Sequence, residues 1–125
     1  MDPVRLYDLP HREARALLAR TDGPVYVLVN PVEYHGPHLS LHNDRLVSEG
    51  LARDLDARLA PPGAPRAAIV AADLEVGVDP VPGAGSRPVP FAVVRDLVVG
   101  ACHAVADLGA KSVVLMTFHG APLHN

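Results

Sequence analysis

The sequence predicts an α/β domain built on a mainly parallel sheet. Two observations carry this. Short apolar runs rich in β-branched residues alternate with longer segments of helical periodicity. The runs are apolar throughout rather than alternating, as in strands buried on both faces.

The elements follow in order. "HREARALLAR" (11–20) is a helix whose stripe is Ala14, Leu17 and Leu18, stopped by Gly23 and Pro24. "VYVLV" (25–29) is a buried strand. A second helix starts near Asn43 or Asp44 and runs to Leu59. Its expected buried face is Val47, Leu51, Leu55 and Leu59, which recur every four residues. "AAIVAADL" (67–74) is the second strand. The segment "EVGVDPVPGAGSRPVP" (75–90) is too rich in Gly and Pro for regular structure, and a loop of that length is usually functional or mobile. It lacks the lysine of a phosphate-binding loop. A third helix spans 90–108, with Pro90 in its first turn and Gly109 after its end. Val94, Leu97, Val98, Ala101, Val105 and Leu108 are expected to face inward, and Cys102 is expected in the core. Asp96, His103 and Asp107 fall on a solvated face. "SVVLMTF" (112–118) is the third strand, giving the order α-β-α-β-α-β.

Bulk properties exclude several classes. The length of 125 residues fits one domain, residues 1–125, and 49% hydrophobic against 20% charged residues permits a packed core. A net charge of −3 argues against nucleic acid as a partner. A single cysteine forbids an intrachain disulfide and suits a reducing cytoplasmic location. No apolar run reaches the roughly 18 residues of a membrane span.

In an open parallel sheet, sites lie beyond the carboxyl ends of strands. Two histidine-bearing segments sit there: "PVEYHGPHLSLHND" (31–44) after the first strand and "HGAPLHN" (119–125) after the third. Glu33, His35, His38, His42 and Asp44 are candidate ligands. Alternate residues of an extended segment project to one side, so Glu33 and His35 can share a site with Tyr34 turned away. Gly36-Pro37 reverses the chain and lets Asp44 return. Imidazole and carboxylate together suit zinc, manganese or ferrous iron. Plainer readings stay open: Asn43 and Asp44 are good helix N-caps, and histidines in a proline-rich turn can be solvated. His119, directly after an apolar strand, favours a site. Asp73 and Glu75 could face it or cap the loop.

These residues resemble the creatininase (creatinine amidohydrolase) family. The family's approximate pattern, E-x-H-G-x-H-L-P-x-x-x-D, is matched at Glu33, His35, Gly36, His38, Leu39 and Asp44. "VVLMTFHG" resembles its second, histidine-bearing metal segment. The resemblance implies a three-layer α/β/α sandwich and hydrolysis of a C–N bond in a small cyclic or linear amide by a metal-bound hydroxide. It implies a divalent metal, zinc first, with manganese or iron as alternatives. By position, Glu33 and His119 would each bind one metal with Asp44, His35 would bind the other, and Asp44 would bridge. His38 and His124 would support the ligands or the substrate. Members commonly form hexamers, so a homo-oligomer is expected.

Departures qualify the match. Ser40 replaces a proline. Ala121 stands where creatinine-hydrolysing members carry a metal-binding glutamate, so creatinine is an unsuitable substrate and one metal is better supported than two. The resemblance covers nearly all of this chain but only the N-terminal half of the family's domain. That implies a partial chain, or a half-length relative completed by partners. A non-catalytic metal-binding or assembly module is the alternative reading, and a small-molecule site at the 81–90 loop a weaker one.

Overall fold

The computed structural model describes residues 1–121. The elements are β1 (Val4–Arg5), a 3-10 turn (Leu6–Asp8), α1 (His11–Ala19), β2 (Val25–Val29), α2 (Asn43–Leu59), β3 (Ile69–Leu74), α3 (Phe91–Leu108) and β4 (Val113–Met116). The sheet order is β1-β3-β2-β4 and every pairing is parallel. Strand β1 is an addition to the expected order. Two residues are too few to show a period, and Val4 joins the sheet edge through its N–H to the Ala68 carbonyl, 2.8 Å.

Strand β2 lies between β3 and β4, and all five of its residues are buried. Its alternation splits the core in two. Val25, Val27 and Val29 face α1 and α3, meeting Ala14, Leu18, Val94 and Val105. Tyr26 and Leu28 face the opposite side, with Ala52 of α2 and Val70 of β3. The result is the expected three-layer α/β/α arrangement. Among the described residues, no helix is long and apolar enough to cross a membrane.

Helix α2 corrects the expected buried face. The buried stripe is Asp44, Ser48, Ala52 and Asp56, whereas Leu51 and Leu59 are 47% and 58% exposed. Two stripes at four-residue spacing run side by side along this helix, and the polar one faces the sheet. It can do so because its polar groups are satisfied. Tyr26 OH donates to Asp56 Oδ1 at 2.8 Å, and Arg66 donates to both Asp56 oxygens at 2.9 Å. Ser48 Oγ donates to Asn30 Oδ1 at 3.1 Å. Ala52, with no exposed surface, lets the helix approach the sheet closely. In α3, Leu97 is exposed rather than inward, and Cys102 is only half-buried. Val94 and Val105 carry that helix's core contact, with Val98, Ala101 and Leu108 beside them. Gly109 ends α3 at φ 124°, a conformation that favours glycine.

Candidate metal centre

The site forms where three strand or helix ends meet. After β2 the chain runs extended through Glu33 and His35, then turns at Gly36, whose φ of 89° suits a residue without Cβ. Asp44 returns in the first turn of α2. His119 follows β4. Glu33, Asp44 and His119 are buried, and His35 is about a quarter exposed. They line a cleft of about 380 Å³ that also takes in the exposed Asp79 and Phe118, and Ala121.

The distances bring both histidines to both carboxylates. His35 Nε2 lies 3.5 Å from Glu33 Oε2 and 3.2 Å from Asp44 Oδ1. His119 Nδ1 lies 3.5 Å from Glu33 Oε2 and 3.8 Å from Asp44 Oδ2. The two imidazoles therefore address different oxygens of Asp44. Their remote nitrogens are tied to carbonyls: His35 Nδ1 to Glu33 O at 3.1 Å, and His119 Nε2 to Val78 O at 2.7 Å. A carbonyl only accepts, so those nitrogens carry hydrogen. In the neutral rings the lone pairs then point into the cleft, the form that a metal requires.

The carboxylates shift in opposite directions. Burial raises Glu33, but the Val81 N–H, a bond with Asp44 and the nearby His119 and His35 outweigh it, and its pKa lies below the ordinary value. Asp44 is raised by burial and by the hydrogen bond and charge of Glu33, with His35 and Asn43 opposing. Two buried carboxylates this close disfavour each other's charge, and a cation between them relieves that. That response, and the donor types, fit a divalent cation. Glu33, His35 and Asp44 each offer one ligand atom, all within 4.8 Å of one another.

The 75–90 segment braces Glu33. Val81 N–H donates to Glu33 Oε1 at 2.6 Å, Arg87 N–H to Val32 O at 3.0 Å, and Tyr34 N–H to Ser86 Oγ at 2.8 Å. Tyr34 turns away from the cleft and covers Gly83, where a Cβ would meet its ring at 2.6 Å. Gly77 is fixed in the same way: a Cβ there would lie 2.8 Å from the Pro31 ring. Sequence reasoning missed Val78, Val81, Asp79 and Asn30. Backbone donors and acceptors carry no residue-type signal. Asp79 has the one positive φ (53°) among the described non-glycine residues, a conformation that aspartate tolerates.

Other candidates fall elsewhere. His38 is exposed, with its ring over Gly36, and does not line the cleft. His42 is half exposed and its Nδ1 meets Glu75, which also pairs with Arg45 Nη1 at 3.3 Å. Asp73 is exposed. His124 lies outside the described residues. A larger groove of about 580 Å³ between α3 and β4 is apolar apart from Arg95 and Thr117, and among the described residues no His, Cys, Asp or Glu lines it.

Comparison with known proteins agrees with this fold. A family model described as "Creatininase: Creatinine amidohydrolase" matches residues 8–125. A solved structure described as creatinine amidohydrolase (creatininase) superposes with a TM-score of 0.72 at 22% identity, covering 95% of this chain and 46% of its own. One described as "Creatininase Mn" gives 0.71 at 20% identity, covering 94% and 46%. A mutant creatininase of Zn–Zn type gives 0.69 at 20%, covering 94% and 45%. The chain thus spans about half the length of these structures. No curated protein sequence matches at a significant level.

Proposed function

Because the chain belongs to the creatininase family, we propose that it is a metal-dependent amidohydrolase acting on a C–N bond of a small cyclic or linear amide. The observation that carries this is the meeting of two buried carboxylates with two imidazoles whose lone pairs are turned inward by the Val78 and Glu33 carbonyls. Glu33, His35, Asp44 and His119 would hold the cation. Zinc suits the mixed nitrogen and oxygen donors best, with manganese or iron as alternatives. A divalent cation supplies polarisation of an amide carbonyl and a lowered pKa for water.

The chain's own groups do the rest. Val81 N–H holds one oxygen of Glu33, leaving Oε2 toward the histidines. Asp44 offers one oxygen to each histidine side, which supports its bridging role should two cations bind. Ala121 contributes no carboxylate to the cleft, which supports one cation over two. The exposed Asp79 and Phe118 leave the cleft open to a small substrate. The proposal keeps His38 as a support for the turn at Gly36, which its ring covers outside the cleft lining, and His124 as a support for ligand or substrate.

The same proposal includes self-assembly, with a hexamer as the family expectation, and a cytoplasmic setting for the single thiol. Assembly is supported by β4, which among the described residues pairs with β2 alone, by its own Leu115, and by Phe91 and Val99 of α3, each about half exposed.

A second reading is a module that binds metal without turnover. Ala121, and the share of the family's length that this chain spans, favour it. Zinc- or manganese-reconstituted protein incubated with a panel of lactams and formamides, followed by proton NMR, separates the two. Metal-dependent hydrolysis that Asp44→Ala abolishes supports the hydrolase. Bound metal with no turnover supports the module.

A further inference from the structure

We propose that Asn30 is a positioning residue for the metal centre, acting through the segment that carries His119. The inference rests on the metal-binding reading above. Strand β2 reads VYVLV, and an apolar residue would continue it. Instead the next position is asparagine, 1% exposed. Its Oδ1 accepts from Phe118 N–H at 2.7 Å, Ser48 Oγ at 3.1 Å and Thr117 Oγ1 at 3.4 Å. Thr117 Oγ1 in turn accepts the His119 N–H at 3.1 Å.

Each partner leads to a ligand. Ser48 lies one turn beyond Asp44 on the buried stripe of α2. Phe118 and Thr117 immediately precede His119. Asn30 itself lies three residues before Glu33. Of the three bonds to this carboxamide oxygen, two come from the segment that carries His119, so the effect runs through that ligand. The other end of the same side chain shows what the position demands: Nδ2 has no hydrogen-bond partner among the described residues. An unpaired buried donor is unfavourable, so what this side chain contributes is its acceptor. The Phe118 N–H also fixes which way the amide is turned, because only the oxygen can receive it.

Residues that orient metal ligands typically change affinity 10- to 100-fold when removed. The test is a zinc titration against a chromophoric chelator on the wild-type chain, Asn30→Ala, His119→Ala and the double variant. Thermal melting of each metal-free protein is recorded alongside. Asn30→Ala should weaken zinc about 10- to 100-fold. The double variant should bind no more weakly than His119→Ala alone, because Asn30 acts through His119. A purely structural role would lower the melting temperature but leave affinity within twofold, or would give additive losses, and either result overturns the proposal. Should Asn30→Ala show no melting transition, Thr117→Val decides. It removes the hydroxyl that holds His119 N–H, and unchanged zinc affinity there overturns the inference. Zinc binding absent from the wild type would instead remove the metal reading, and this inference with it.

Discussion

At the scale of single residues, buried charge is tolerated here where the charged group has a partner. Asp56 is the clearest case. It sits on the buried face of α2 with Tyr26 OH and the Arg66 guanidinium on its two oxygens. Burial raises its pKa, but Arg66 and Tyr26 outweigh burial and hold it below the ordinary aspartate value. A carboxyl depressed in the folded state stabilises the fold above the ordinary carboxylate range, and the contribution disappears as pH falls through the depressed value. Urea unfolding at a series of pH values should therefore show wild type losing stability below about pH 4 more steeply than Asp56→Asn. At neutral pH, Asp56→Ala should cost about 3 kcal/mol, the lower end for breaking a buried pair, because Arg66 keeps access to water. Tyr26→Phe should cost about 1.5–3 kcal/mol, the loss of one bond to a charged group. None of this is visible in the sequence. Tyr26 reads as one apolar strand residue among five, and Asp56 as part of a solvated helix face. Glu33, His35 and Asp44 are legible because their spacing is local. His119 is legible only through the parallel topology that brings strand ends together.

At the scale of elements, strand β2 is readable because a central parallel strand must be apolar on both faces. Helix α2 is not, because its leucine stripe is the stronger periodic signal. The buried stripe wins through Ala52, whose small side chain sets the distance to the sheet, and through the pairing of Ser48 and Asp56. Two substitutions separate these faces. Ala52→Leu should overpack the interface and cost about 1–3 kcal/mol. Leu51→Ala should stay within about 0.5 kcal/mol. Equilibrium unfolding checks both, and the reverse order would restore the leucine face as the buried one. The 75–90 segment is legible as irregular, but its work lies in backbone groups. Gly77→Ala would drive a Cβ against the Pro31 ring and displace the segment from which Val78 and Val81 reach His119 and Glu33. Zinc affinity should fall while helix content by circular dichroism is kept.

At the scale of the whole molecule, β4 ends the sheet among the described residues, with an apolar groove against α3. Edges of this kind invite pairing. Leu115→Lys should therefore shift sedimentation toward smaller species without unfolding the chain. An unshifted monomer in both proteins would contradict self-assembly through this face. Strands β2, β3 and β4 and the candidate ligands lie within the residues that the family model matches, and both follow from strand order. The groove was not legible, since no single stretch of sequence contains it. The central claim remains the metal centre, and the most direct measurement is the metal content of the purified chain by mass spectrometry, after zinc loading and desalting. The structure predicts close to one zinc per chain in wild type, and loss of that zinc in Glu33→Ala and in Asp44→Ala. Metal-free wild type, or variants that retain zinc as well as wild type does, would contradict it.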